Sequence, residues 1–279
     1  MITRIVLILI VVLITAGCGT AGGAGSGGET VVAAFYPLAY AAELVGGRAV
    51  RVENLTPNGA EPHDLELTPG AVAKIERADV VLYLGHGFQP AVADAARDAS
   101  GRAIDLLDGL PLRPADPHVW LDPVLYARIV RRIGGVLRRP ARVAAPIARL
   151  RTLDGDYRRG LAHCARREIV TSHAAFGYLA QRYGLRQVPI TGLTPESEPT
   201  AKDLARVVHT VRRTKAATIF FETLVSPRLA QTVAREVGAR TAVLDPIEGL
   251  TPSEQARGDT YFTLMQRNLA ALRKALACR

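Results

Sequence analysis

Two periodicities alternate along the chain. Short apolar, β-branched runs at 30–34, 49–55, 80–84 and 103–107 read as strands. Between them, apolar residues recur at helical spacing over 38–45, from Pro69 to about Ala78, and from Pro90 to about Ala99. Gly46-Gly47 stops the first helix, and Thr68-Pro69 opens the second with a capping residue followed by proline. The scheme then repeats, with strands at 168–172, 186–190, 217–221 and 239–244 and helices over 174–183, 199–213, 227–237 and 261–276. Strands that alternate with helices predict an α/β fold whose parallel sheets are covered on both faces, here two (β/α)4-like lobes.

Between the two halves, from Tyr126 to Cys164, no strand signal occurs. Pro140 is placed to open a helix, and Ala144, Ile147, Leu150, Leu153, Tyr157 and Leu161 follow at helical spacing. A helix over 140–162 would be about 34 Å long, a stiff strut between lobes and not a flexible linker. Gly155 should weaken it by roughly 1 kcal/mol relative to alanine. The expected organisation is an N-terminal lobe over 29–125, a helical linker over 126–164 and a C-terminal lobe over 165–279.

Composition narrows the class without changing this picture. The chain has 279 residues, of which 48% are hydrophobic and 22% charged, enough to build cores and contrary to disorder. Net charge is +9, which raises the question of nucleic acid. The arginines are scattered, however, and the densest pairs (Arg131/Arg132, Arg138/Arg139, Arg158/Arg159) fall in one helical region. They read as solvated helix faces, with a modest attraction to anionic lipid headgroups as the next reading and no nucleic-acid partner.

The first residues read as an address. Arg4 gives a positive start, the run 5–14 is wholly apolar, and Thr15-Ala16-Gly17 leads into Cys18. Ten apolar residues rise about 15 Å as a helix, half the hydrocarbon core, so this is a signal segment rather than a membrane span. Ala-Gly-Cys resembles the lipobox of bacterial lipoproteins, with Thr15 where leucine is usual. The resemblance implies cleavage before Cys18, lipidation of that residue, and a Gly/Ala/Ser-rich tether to about Gly28. It also implies residence on the outer face of the cytoplasmic membrane. The remaining cysteines, Cys164 and Cys278, invite a disulfide in an oxidising compartment, worth about 3–5 kcal/mol on the chain-entropy model; two unpaired thiols are the alternative.

Open α/β sheets bind ligands beyond the carboxyl ends of their strands, which gives a test for each histidine. His63 lies in the loop after the second strand, His118 in the loop after the fourth, and His173 directly after the strand 168–172. Asp245 directly follows the strand 239–244. Three imidazoles and a carboxylate at that edge, two from each lobe, form a four-ligand set of the kind Zn²⁺ takes. His86 follows the third strand and is a weaker candidate, while His163 and His209 fall within helices as surface residues.

These loops resemble those of the metal-binding lipoproteins that feed ABC transporters for zinc and manganese. Glu61-Pro62-His63-Asp64-Leu65-Glu66-Leu67-Thr68-Pro69 resembles the family's PHDxELxPS. Asp116-Pro117-His118-Val119-Trp120-Leu121-Asp122-Pro123 resembles DPHxWLDP, and Ser172-His173-Ala174-Ala175-Phe176-Gly177-Tyr178-Leu179 resembles SHxAFGYF. Glu198-Pro199-Thr200, Phe221-Glu222 and Leu244-Asp245-Pro246 follow in order. The resemblance implies a metal held between two lobes by His63, His118, His173 and Asp245, with Glu222 orienting a histidine through its other ring nitrogen. It also implies delivery to a membrane permease driven by an ATPase, by a monomeric carrier without catalytic activity.

Two features depart from the family pattern. The segment 108–115 is short and lacks the histidines that zinc members often carry there, and Gln89 stands where an acid is frequent. Manganese-type relatives tend to place a carboxylate at the position of His173. Three imidazoles with one carboxylate therefore favour Zn²⁺, with manganese or mixed use as the alternative. A surface adhesin is a second alternative. A zinc hydrolase would keep an open coordination position, and a siderophore or corrinoid carrier would need a wide aromatic cleft where aromatic residues here make up 5%.

Overall fold

The computed structural model describes residues 28–279; the apolar leader, Cys18 and the tether as far as residue 27 lie outside the described residues. The N-terminal half runs β1 (Glu29–Ala33), α1 (Tyr36–Gly46), β2 (Val50–Asn54), α2 (Pro69–Arg77), β3 (Val80–Tyr83), α3 (Pro90–Ala96) and β4 (Arg102–Asp105). Next come α4 (Pro123–Val136) and α5 (Ala144–Leu161). The C-terminal half runs β5 (Glu168–Thr171), α6 (Gly177–Tyr183), β6 (Arg186–Pro189), α7 (Ala201–Thr214), β7 (Thr218–Phe221), α8 (Arg228–Val237) and β8 (Arg240–Val243). It closes with α9 (Pro252–Ala256) and α10 (Tyr261–Leu276).

Two parallel four-stranded sheets result, ordered β2-β1-β3-β4 and β6-β5-β7-β8, so the second lobe repeats the topology of the first. All registered strand pairs are parallel, and the central strands are buried on both faces, as the unbroken apolar runs require. In each sheet the strand order reverses between the first and third strands of the lobe. Such a switch point opens a crevice at the carboxyl edge.

One continuous core joins the N-terminal sheet to α4, α5 and α10. A smaller one, built on Val170, Val207, Val211, Ile219 and Val233, lies between the second sheet and α7/α8. Helix α5 is the strut, with Ile147, Leu150, Leu153, Tyr157 and Leu161 buried. It has 18 residues, about 27 Å, and is shorter than the helix predicted from Pro140. Pro146 has no N–H to bond back one α-helical turn, so the chain over Pro140–Val143 closes as a 3-10 turn instead. Tyr157 donates to the Met265 carbonyl at 2.7 Å, fastening α5 to α10. Just beyond the ends of those two helices, Cys164 and Cys278 are joined by a disulfide.

Candidate metal centre

Each loop at the carboxyl edge turns a side chain inward for a local reason. His63 follows Pro62, whose carbonyl accepts a hydrogen bond from buried Gln89 Nε2 (3.1 Å), and Gln89 also donates to Thr56 (3.2 Å). The His63 N–H donates to Glu61 Oε1 at 2.9 Å. His118 is fixed by Asp116, whose Oδ1 accepts from the His118 backbone at 3.0 Å and lies 2.9 Å from Nδ1. His173 is held in the same way by Glu222, which follows β7 across the switch point. Glu222 Oε1 lies 3.2 Å from the His173 backbone nitrogen and 2.6 Å from Nδ1. Both imidazoles are thus gripped at Nδ1 by a carboxylate, which leaves Nε2 turned to the cleft. Carboxylate–imidazole pairs of this form fix the tautomer of metal-binding histidines and raise their basicity.

The fourth member of the cluster is Glu248. One ligand atom from each of His63, His118, His173 and Glu248 lies within 4.8 Å of all the others. Glu248 Oε1 is 3.3 Å from His63 Nε2, 3.2 Å from His118 Nε2 and 3.6 Å from His173 Nε2, and the last two nitrogens are 3.3 Å apart. A tetrahedral Zn²⁺ with bonds of 2.0–2.1 Å has ligand–ligand edges of about 3.3–3.4 Å. The donor set and these four edges fit that ion, and Glu248 Oε2 is buried without a hydrogen-bond partner.

Asp245, expected to complete the set, is not part of the cluster. Its Oδ1 accepts the Ile247 N–H at 2.7 Å and its backbone N–H donates to Asn268 at 2.9 Å, which holds one carboxylate oxygen on its own turn while Oδ2 is buried without a hydrogen-bond partner. Ile247 takes a left-handed φ of 59°, an uncommon conformation for a β-branched residue, and this reversal sends the next side chain, Glu248, into the cleft. Trp120 Nε1 donates to the Pro246 carbonyl at 2.7 Å, tying the loop of His118 to the loop of Glu248. Both carboxylates stood in the run Asp245-Pro246-Ile247-Glu248, but the choice between them depends on this turn. Asp116, two residues before His118 in the motif that ends on Trp120 and Asp122-Pro123, carries a sequence signal of the same kind. His86, His163 and His209 are exposed and outside the cluster; His163 lies in the turn after α5 rather than within a helix.

The electrostatics follow from burial and pairing. Burial opposes charge on His173, yet Glu222 and Glu248 outweigh it and push its pKa up to about 10. Burial likewise opposes charge on His118, and hydrogen bonds to Asp116 and Glu248 raise it nonetheless. Burial would raise Glu248, but the three histidines hold it well below the usual carboxylate range. Asp245 is pushed up to about 8 by burial, against the pull of the Ile247 N–H. Glu61 is also pushed up to about 8, by burial and then by the nearby charge of Glu248.

Comparison with known proteins agrees with this architecture. The family model described as zinc-uptake complex component A, periplasmic (ZnuA), matches residues 31–275. The chain is 34% identical to the high-affinity zinc uptake system protein ZnuA of Bacillus subtilis, over 95% of this chain and 94% of that protein. It is 35% identical to the zinc-binding lipoprotein AdcA of Streptococcus pneumoniae, but spans only 55% of that longer protein. The Zn(II)-bound ZnuA-like domain of S. pneumoniae AdcA superposes with a TM-score of 0.77 at 36% identity, covering 90% of this chain and 99% of the domain. The laminin-binding protein Lmb of Streptococcus agalactiae, described as having adhesin and metal-transporting activity, gives a TM-score of 0.83 at 28% identity over 89% of this chain and all of that one. With its two like-ordered parallel sheets and a histidine–carboxylate cluster at their carboxyl edges, the chain belongs to the ZnuA family of zinc-uptake solute-binding proteins.

Proposed function

We propose that this protein captures Zn²⁺ outside the cytoplasm and delivers it to an ABC-type importer, a permease driven by an ATPase. In this reading the ion is cargo, held by His63, His118 and His173 through Nε2 and by Glu248 through its carboxylate. The observation that carries it is the spacing of 3.2–3.6 Å between Glu248 Oε1 and the three imidazoles, on a donor set of three nitrogens and one oxygen. Such a set suits Zn²⁺ better than Mn²⁺, which prefers more oxygen ligands. Four protein ligands close a tetrahedral site and leave no position for an activated water, which supports a carrier over a hydrolase. Asp116 and Glu222 orient His118 and His173, and Gln89 steadies the loop of His63. Cys18 supplies a lipid anchor through residues 19–28, and the carrier acts as a monomer.

The test is elemental analysis of residues 28–279 after equilibration with equal Zn²⁺ and Mn²⁺, beside a His173→Ala variant. One zinc per chain, lost or much weakened in the variant, is the expected result. One manganese per chain would overturn the choice of metal, and no metal in either protein would overturn the site.

A further inference from the structure

A basic groove lies at the opposite edge of the N-terminal sheet. In a parallel sheet every strand begins at one edge and ends at the other, and His63 and His118 follow strand ends. The residues that precede or open β1, β3 and β4 border a groove of about 860 Å³ lined by Arg77, Arg102, Arg138 and Arg139, with Glu29 and Asp79 as its acids. Both acids are engaged. Glu29 Oε1 takes the Arg102 guanidinium at 2.6 Å, and Asp79 Oδ2 accepts the Thr30 N–H at 2.7 Å. Arg102 is further bound to the Val136 carbonyl at 2.6 Å. Among the described residues, Arg77, Arg138 and Arg139 have no ion-pair partner, and all three are exposed. Arg138 stands just past the end of α4 with φ of 53°, a left-handed position that glycine fills with less strain. A long cation is carried there instead, pointing the chain's turn into a basic rim.

The groove also sits where the described chain begins, at Gly28 and Glu29. Cys18 stands ten positions before Gly28, a span of at most about 36 Å however extended. If Cys18 is the anchor, this edge is the one held near the bilayer. We infer that the groove of Arg77, Arg138 and Arg139 binds the phosphate groups of anionic phospholipids, holding the N-terminal lobe on the membrane between encounters with the permease, to which the metal cleft is presented once this edge lets go. Guanidinium groups suit phosphate oxygens because their planar N–H pairs can bond two oxygens at once. The reading of Cys18 as an anchor fixes only which surface faces the membrane; the groove's affinity for the lipid is independent of it.

Residues 28–279 contain both sheets, the ten helices and the disulfide, so the chain starting at Gly28 keeps the whole described fold and removes any contribution of the leader. Its co-sedimentation would be measured with phosphatidylcholine vesicles with and without phosphatidylglycerol. The triple variant Arg77→Gln, Arg138→Gln, Arg139→Gln would be compared with an equally neutralised control on the other lobe, Arg206→Gln, Arg228→Gln, Arg235→Gln. Binding is expected only to vesicles containing phosphatidylglycerol, weakened by added salt. It should fall roughly 100-fold in the groove variant, given the usual gain per arginine near an anionic surface, and change by less than about threefold in the control. Zinc affinity, as a check on folding, should be unchanged in both. Equal losses in the two variants would reduce the effect to net charge and overturn the groove. Unaltered binding by the groove variant, or displacement from vesicles by millimolar inorganic phosphate, would overturn it as well, the latter in favour of a free-anion site.

Discussion

Replacing Glu222 by glutamine separates two things this carboxylate does for His173. The amide oxygen can still accept from Nδ1 at the observed 2.6 Å, so the ring stays oriented, but the negative charge is gone. Loss of such a partner weakens metal affinity by about 10–100-fold at a given protonation state. The same charge, with Glu248, raises the His173 pKa to about 10, and a protonated imidazole cannot bind zinc. In the parent, the neutral fraction of His173 falls roughly 300-fold between pH 9 and pH 6.5 when its pKa is about 10. If the variant returned His173 to its ordinary value, that fraction would fall only about twofold over the same range. Glu248 remains in the variant, so its behaviour lies between these limits.

The variant should therefore be weaker than the parent at pH 9, by up to about tenfold, and should gain on it steadily as pH falls. The assay is competition for zinc against a chelator of known pH dependence, from pH 6.5 to 9, for both proteins. Thermal melts without metal would check that the variant is folded. Parallel curves, with a constant ratio of affinities at every pH, would refute the argument that Glu222 holds the competing proton on His173.

The remaining predictions concern the ligand set, the proton balance and the frame. Glu248→Gln should weaken zinc binding by more than about 100-fold, beyond the loss from removing an orienting partner. Asp245→Asn should leave it within about threefold, because Asp245, pushed up to about 8, is already largely neutral at pH 7 and Asn can still accept from Ile247. The opposite ranking would restore Asp245 as ligand. Metal-free protein should melt at a higher temperature at pH 6 than at pH 9. Raised His173 stabilises fully below about 6.5 and loses this as pH climbs toward 10, while Asp245 and Glu61 become charged in burial as pH rises through about 8. Saturating zinc should narrow the gap, and a melting temperature that rises from pH 6 to 9 without metal would contradict the assignment. Reducing the disulfide, whose cysteines are 114 residues apart, should cost up to about 4.8 kcal/mol on the chain-entropy model. Urea unfolding of oxidised and Cys164→Ser/Cys278→Ser proteins measures this, and a difference below about 1 kcal/mol would mean that α5 and α10 hold their ends together unaided.

The repeated β/α pattern was readable because both sheets are parallel and doubly covered, which makes their strands short unbroken apolar runs rather than alternating ones. The strand boundaries 30–34 and 168–172 fall within a residue of β1 and β5, and the terminal helix over 261–276 coincides with α10. Three histidines were readable for the same topological reason, since a parallel sheet sends every strand-end loop to one edge. The late start of α5 was less so, because Pro146 acts by a missing hydrogen bond that apolar spacing does not register. Glu248 was missed for a reason of longer range. Its selection over Asp245 depends on the left-handed Ile247, on Asn268 from α10 bonding the Asp245 backbone, and on Trp120 from the other lobe bonding Pro246. Nothing local in Leu-Asp-Pro-Ile-Glu encodes contacts made by residues over 20 and over 120 positions away.

These contacts bear on how the cleft can hold a dication at all. A site of three neutral imidazoles and Glu248 alone would have to desolvate Zn²⁺ in a fully buried position. Here Asp116 and Glu222 add two further carboxylates, one behind each buried imidazole, and both lie within hydrogen-bond reach of Nδ1. Without metal, the proton on His173 offsets part of that negative charge. Zinc brings two positive charges and displaces that proton, so the charge of the cleft changes by less than the ion's own charge. A cleft whose charge is partly conserved has less electrostatic cause to open or close widely. The frame is built for the same economy of motion. Arg182 of α6 is ion-paired with Asp122 at the start of α4, Tyr178 of α6 donates to the Asp116 carbonyl at 3.0 Å, and Trp120 bonds Pro246. Each of these links crosses from one lobe to the other beside the metal centre, and α5 spans both behind it. Exchange of zinc for protons, with little relative motion of the two lobes, is the release mode this construction favours.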